Sequence, residues 1–294
     1  MKMAFKKKEK KGHQRAATIE DEKASSRQRI ANFVPEYLAN YVFPYHSDFC
    51  FSKIFDFRLI AALMVEGFLP IATDGVLLPK LHEQRSVIPL PGALHIQRSA
   101  RKKAKRFRIS VNQNFDDVVS GCRVQHGDRC WLYPPLVEAF RTIHSGSIEV
   151  RIPNSNRANE LPQRIAPTIV PIRLYSIEIW NSSSGELVGG ELGYTVGSIY
   201  TSLTGFSLES SAGSVQLCAL GKLLSKCGFT LWDLGMEMEY KNNLGASLMP
   251  REAYVKYVHQ VRESKGGLRL PFSSNRFDAR ALIDADKDED AMVE

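Results

Sequence analysis

The chain is poor in the features that announce a familiar chemistry. Its five cysteines, Cys50, Cys122, Cys130, Cys218 and Cys227, are an odd number and show no C-x-x-C spacing. Neither a zinc ribbon nor a disulfide-stapled scaffold is expected. The seven histidines fall at no ligand spacing, so no metal site is expected, and a lone histidine such as His95 or His144 reads as structural. The longest strictly apolar run, Leu59 to Val65, has 7 residues, far short of the roughly 20 that cross a bilayer. No apolar stretch follows the N-terminal lysines, so a secretory leader is not expected. The Walker loop, the G-x-G-x-x-G turn, the G-x-S-x-G elbow and the H-E-x-x-H helix are all missing. What remains is an ordinary globular composition, 44% apolar and 24% charged over 294 residues, enough for one large domain or two modest ones. The expectation is a reduced, cytoplasmic protein without a membrane partner.

Charge is not scarce but unevenly placed. The net +7 arises from 39 basic and 32 acidic residues. Residues 1–15 carry +6, residues 85–108 carry +8 with no acid at all, and residues 284–294 carry −5, leaving −2 for everything else. Within the middle block, Arg98, Arg101, Lys102, Lys103, Lys105 and Arg106 crowd nine positions. Such a cluster attracts phosphates by releasing their counterions; a merely solvated helix face is the alternative. Residues 1–27 read as a disordered basic tail and residues 272–294 as a disordered acidic one.

Between the tails the periodicities alternate. From about Gln28 to Gly67 the pattern is helical, with Asp56 as cap and Gly67 as stop for a helix over 56–66. Residues 68–97 are punctuated by Pro and Gly and read as short strands and loops. Helices are expected over 98–107 and 135–144, and residues 145–173, with four prolines and no sustained period, as a loop insertion. Residues 175–207 give the clearest strands, with Gly197-Ser198 as a two-residue hairpin turn. That turn places Leu192 opposite Leu203 and Glu191 opposite Thr204, Glu191 and Leu203 falling on opposite faces unless a bulge intervenes. A helix follows, closed by Gly228. The alternation from Leu231 to Glu239 predicts one strand with Trp232, Leu234, Met236 and Met238 on one face. A last helix opens at Pro250. The fold class is α+β, with a largely antiparallel sheet.

Several strings, in order, resemble the leucyl/phenylalanyl-tRNA–protein transferase family. They are LHIQRS from Leu94, F-x-x-V-x-x-G-C from Phe115, W-x-x-x-x-L-V-E-A-F-x-x-x-H from Trp131, YSIEIW from Tyr175 and ELVGG-x-x-G from Glu186. Phe206-Ser207, Asp233, LGA at 244–246 and P-R-E-x-Y from Pro250 complete the series. The similarity runs from about 56 to 262. It implies an acetyltransferase-like (GNAT-type) mixed sheet flanked by helices, over residues 94–271, with a small N-terminal domain over 28–93. It also implies transfer of leucine, phenylalanine or methionine from aminoacyl-tRNA to a protein or peptide with N-terminal Lys or Arg, in N-degron degradation. No cofactor is implied, and a monomer is expected.

Carried over residue by residue, the resemblance makes Asp233 the catalytic acid and gives Trp131, Leu203, Phe206, Leu220 and Leu224 to the pocket for the amino-acid side chain. Leu220 and Leu224 as plain core residues are the alternative. Arg98, Arg101, Lys102, Lys103, Lys105 and Arg106 would bind the tRNA backbone. The chain departs from the family at two polar positions: Leu203 stands where the family has Glu, and Gly235 where it has Gln. A relative that binds tRNA or another RNA without catalysis is therefore the alternative function, and a different acyl transfer to an N-terminus is a third.

Overall fold

The structure, a computed structural model, describes residues 48, 50–152, 168–263, 268–271 and 274–285. The basic tail and the helical pattern expected from Gln28 to residue 47 lie outside the described residues. The first element is α1 (Phe57–Val65), capped by the Asp56 side chain, which accepts from the Arg58 N–H at 2.7 Å. Every α1 residue from Leu59 onward is buried. A two-stranded hairpin follows, β1 (Leu69–Thr73) and β2 (Val76–Lys80).

The remaining strands form one large sheet. They are β3 (Gln84–Pro89), β4 (Phe107–Val111), β5 (Ile148–Ile152), β6 (Thr168–Asn181), β7 (Leu187–Val196), β8 (Ile199–Ser207), β9 (Leu231–Asp233), β10 (Ser247–Pro250) and β11 (Phe277–Asp278). Their order is β10-β3-β9-β8-β7-β6-β4-β11, with β5 on the free flank of β6. All pairings are antiparallel except β8 with β9. That exception has a cause: a helix, α5 (Ala212–Lys226), connects the two strands, and a crossover of that kind returns the chain parallel.

Helices cover both faces. On one lie α1, α3 (Phe115–His126), α4 (Pro134–His144) and α7 (Arg251–Val261), packed on Leu174, Leu192, Tyr194 and Ile199. On the other lie α2 (Arg98–Lys103), α5 and α8 (Ala279–Asp284), packed on Ile177, Ile179, Tyr200 and Trp232. A short helix, α6 (Glu239–Asn243), follows β9. Strand residues alternate between the two cores, as a doubly covered sheet requires.

Four expectations are corrected. Residues 145–173 are not simply a loop insertion: β5 and the start of β6 pair there, from Ile148 opposite Ile172 to Ile152 opposite Thr168. Val150, Ile152, Val170 and Ile172 are buried against the first core, and period two over five residues was too short to stand out between prolines. The expected loose tail after 272 carries β11 and α8, because Ala279, Leu282 and Ile283 are buried in the second core. The alternation from 231 to 239 is not one strand: β9 ends at Asp233, and Gly235 takes φ +76°, which redirects the chain. Finally, β3 lies on the N-terminal side of the expected boundary at 93/94, yet it is a strand of the large sheet.

The hairpin turn stands as expected, with Val196 opposite Ile199, but the register beyond it does not. A bulge at Leu203 leaves Leu192 opposite Thr204 and Glu191 opposite Gly205. The bulge reverses the parity of β8. Ile199 and Phe206, an odd and an even position, therefore face the same core.

Candidate active site

β9 is only three residues long, and this creates the site. Its pairing with β8 covers Ile199, Tyr200 and Thr201 and no further. From Ser202 to Ser207 that edge of β8 is open to a cleft of about 860 Å³. Trp131, after α3, forms part of one wall, the first turns of α5 with Ser214 and Gln216 form another, and the segment from Leu234 to Leu244 forms a third.

Trp131, Leu203 and Phe206 all line the cleft. Trp131 is braced edge-on by Phe140, the ring centroids 6.3 Å apart. Leu220 and Leu224 do not line it. Both are fully buried in the core between α5 and the sheet. They share a helical stripe with Gln216, but each four-residue step moves about 6 Å along the axis and away from the cleft.

Asp233 sits behind the wall rather than in it, with no exposed surface. Arg85 grips it with two bonds, Nε to Oδ1 at 2.9 Å and Nη2 to Oδ2 at 2.8 Å. The Gly235 N–H adds a third at 2.9 Å, the Tyr254 hydroxyl a fourth at 2.8 Å and the Thr201 hydroxyl a fifth at 3.0 Å. Burial pushes its carboxyl upward, but Arg85 and these donors outweigh it and hold it below its ordinary value. Tyr254 closes the P-R-E-x-Y string, so two pieces of the sequence resemblance meet at this carboxylate. Another pair meets where the Leu244 carbonyl accepts from the His95 N–H at 2.8 Å.

The acid that does line the cleft is Glu191, on β7. Its Oε1 accepts from the Tyr200 hydroxyl at 3.0 Å and the Ser202 hydroxyl at 2.8 Å, and its Oε2 from Gln216 Nε2 at 3.2 Å. Gly193 makes room for this: a Cβ there would lie 2.2 Å from the Tyr200 hydroxyl oxygen. Burial pushes the Glu191 carboxyl up to about 7, against the pull of Ser202, Tyr200, Gln216 and Lys241. Lys241, also at the cleft, donates to the carbonyls of Leu234 at 2.7 Å and Met236 at 2.6 Å. Burial brings it down to about 8, with Asp233 and Glu191 pulling the other way. His82 is drawn down to about 4, first by burial and then by Arg85 and Lys80. The sequence register sets Glu191 apart from Leu203 unless a bulge intervenes, and it gives Lys241 and Arg85 no role at the site. Only the bulge and the sheet order bring them together, and neither leaves a periodic signal.

The basic cluster occupies α2 and the turn after it, beside the cleft mouth, where Gln97 and Ala100 join the lining. Its charges are not equivalent. Arg101 is paired with Asp284 of α8 and Arg106 with Glu209, while Lys103 donates to the Ser211 hydroxyl at 2.8 Å. Arg98, Lys102 and Lys105 are exposed and have no ion-pair partner among the described residues. Also among the described residues, no cluster of His, Cys, Asp and Glu is arranged to hold a metal, and no helix is long and apolar enough to cross a membrane.

The sequence profile of the family described as "Leucyl/phenylalanyl-tRNA protein transferase" matches residues 87–152 and 172–259, more than half of the chain. The chain belongs to the leucyl/phenylalanyl-tRNA protein transferase family. The family is one of aminoacyl-transferring enzymes, and its match spans every wall of the cleft named above while leaving out residues 153–171. Relatives named leucyl/phenylalanyl-tRNA–protein transferase include one from Pseudomonas paraeruginosa, 26% identical over 219 residues, which are 73% of this chain and 84% of that protein. One from Pectobacterium atrosepticum is 28% identical over 176 residues, 59% of this chain and 64% of that protein. A third, from Ectopseudomonas mendocina, is 26% identical, covering 69% of this chain and 79% of that protein.

Proposed function

We infer that this member of the family moves a hydrophobic amino acid, leucine, phenylalanine or methionine, from tRNA to the N-terminal amine of a protein bearing Lys or Arg, and so marks that protein for N-degron degradation. The reaction is aminolysis of an ester that is already activated, so holding the two substrates together supplies much of the rate. The observation that carries the reading is the cleft itself. It has an apolar wall of Trp131, Leu203 and Phe206 and opens beside Arg98 and Lys102, the exposed cations of α2 that have no ion-pair partner among the described residues. The wall suits an apolar side chain, and the cations suit the phosphates of the acceptor stem. We assign the core an acetyltransferase-like topology on the single parallel β8–β9 pair and the opening beside it. A cytoplasmic monomer fits this reading, with Asp233 acting through the residues it holds rather than on the ester.

A second reading, RNA binding without transfer, is favoured by Leu203 and Gly235, which replace two polar family positions. The deciding assay supplies radiolabelled Leu, Phe, Met and Arg on charged tRNA to peptides beginning with Lys, Arg, Asp or Glu. Label transferred from Leu-, Phe- or Met-tRNA to Lys- or Arg-peptides is the expected result. Retention of tRNA with no labelled peptide from any donor would establish the second reading.

A further inference from the structure

Among the described residues that line the cleft, Glu191 is the sole Asp or Glu. It is also the most tightly positioned polar group there. Its three donors come from β8 and α5, and Ser202, one of them, is itself fixed by Trp232 Nε1 at 3.0 Å. A carboxylate offers about four lone pairs. Three are engaged, both of those on Oε1 and one on Oε2, which leaves one on Oε2. Asp233, by contrast, accepts five hydrogen bonds on its two oxygens and has no surface. His126 has Nε2 at 3.0 Å from the Gly205 carbonyl and 3.2 Å from the Thr204 hydroxyl, so that nitrogen is occupied.

We propose that Glu191 is the general base of aminoacyl transfer, with its free Oε2 lone pair taking the proton of the attacking α-amine. The assignment rests on the transferase reading above. As the amine nitrogen bonds to the aminoacyl carbonyl carbon, the carbonyl pair moves onto oxygen and the N–H proton passes to Glu191. Collapse re-forms the C=O bond and breaks the ester C–O bond. The proton then goes from Glu191 to the departing 3′ oxygen, leaving an amide, a free 3′ hydroxyl and the original carboxylate. Burial and donors together set the carboxyl at about 7, close to an α-amine at about 7.7–8.0, which is where a base works best near neutral pH. The bulge at Leu203 leaves Glu191 at the open stretch of β8, so an acid enters the cleft by a route other than the family's Glu position.

The test is single-turnover transfer from Leu-tRNA to a Lys- or Arg-peptide between pH 5.5 and 9, with tRNA binding and thermal unfolding measured on the same proteins. Glu191→Gln keeps the shape and most of the hydrogen bonds. Its rate should fall by about 10²- to 10⁴-fold, the usual worth of a general base, with tRNA affinity unchanged. Below pH 7 the logarithm of the wild-type rate should climb with a slope near two, one proton from the peptide amine and one from Glu191. In Glu191→Gln the slope should be near one. Gln216→Leu removes a donor to the carboxylate and should move the Glu191 limb to higher pH. Equal rates and equal slopes in wild type and Glu191→Gln overturn the assignment while leaving the transferase standing. If Glu191→Gln unfolds, a Gln216→Leu profile identical to wild type overturns it instead. Absence of transfer by the wild type, with tRNA still bound, overturns the transferase reading and this assignment together.

Discussion

At the scale of single residues, two buried carboxylates a few strands apart have opposite characters, and their partners explain why. Glu191 meets only neutral donors, so burial dominates and its carboxyl rises. Asp233 meets a guanidinium with no exposed surface, and the charge pair dominates. Breaking such a pair strands a buried charge, which costs about 3–5 kcal/mol, whereas replacing both partners by apolar groups is often nearly neutral. Asp233→Ala should therefore lose about that much stability in denaturant titration. The double variant Arg85→Met, Asp233→Leu should recover most of the loss. A double variant no more stable than the single one would mean that the other donors to Asp233, not the charge pair, carry the effect. The pH dependence has a definite sign. Because the folded carboxyl is held below its unfolded value of about 3.9, the pair's contribution is complete above that pH and is lost as pH falls further toward the folded value. Acid titration of wild type should show this decline, and the apolar double variant should lack that component. Loss of transfer in Asp233→Ala alone thus reports folding before it reports chemistry. Asp233 was visible in the sequence through the family resemblance, but its burial was not, because Arg85 stands 148 positions away in the chain.

At the scale of elements, α2 shows how structure divides a charge cluster that the sequence presents as uniform. Arg101 and Arg106 already neutralise Asp284 and Glu209, so a phosphate must compete with a carboxylate for them. Arg98, Lys102 and Lys105 face no such competition among the described residues. Replacing Lys102 and Lys105 together by Ala should weaken tRNA binding for all sequences and reduce the slope of log K against log salt by about two, roughly one per phosphate contact. Arg101→Ala with Arg106→Ala should change that slope less. Equal slope changes in the two pairs would show that the ion pairs open on binding. Filter binding across a salt series makes the measurement. Most elements were legible where local chemistry is decisive: the Asp56 cap, the Gly197-Ser198 turn, the helix expected over 135–144 and the strands within residues 175–207. Illegible were features fixed by distant neighbours. The bulge at Leu203 exists because Phe206 must face the α3 core while Ile199 faces the same side, and nothing within β8 itself announces it. The alternation after Leu231 was misleading because Gly235, at positive φ, ends the strand while the hydrophobic pattern runs on.

At the scale of the whole molecule, the sheet has a working end and a supporting end. β7 and β8 run from the Gly197-Ser198 turn to the open edge at Ser202–Ser207. The β5–β6 pairing extends the sheet on the turn side, since Arg173 of β6 already lies opposite Thr195. From Val196 to Glu191 along β7 is five residues, about 17 Å at strand rise, so the two ends share a core but not a site. Ile172 is fully buried in that core beside α1 and α4. Ile172→Ala should cost about 2–5 kcal/mol through lost burial and the cavity left behind, read as a lower denaturant midpoint with an unchanged m-value. Transfer by the folded fraction, measured well below the unfolding temperature, should keep its rate and its pH profile. A changed pH profile would show that the supporting end sets the geometry around Glu191 through the common strands. That would make the β5–β6 pairing part of the catalytic architecture, and β6, which pairs with β5 and with β7 along one continuous strand, would be the element that transmits the effect.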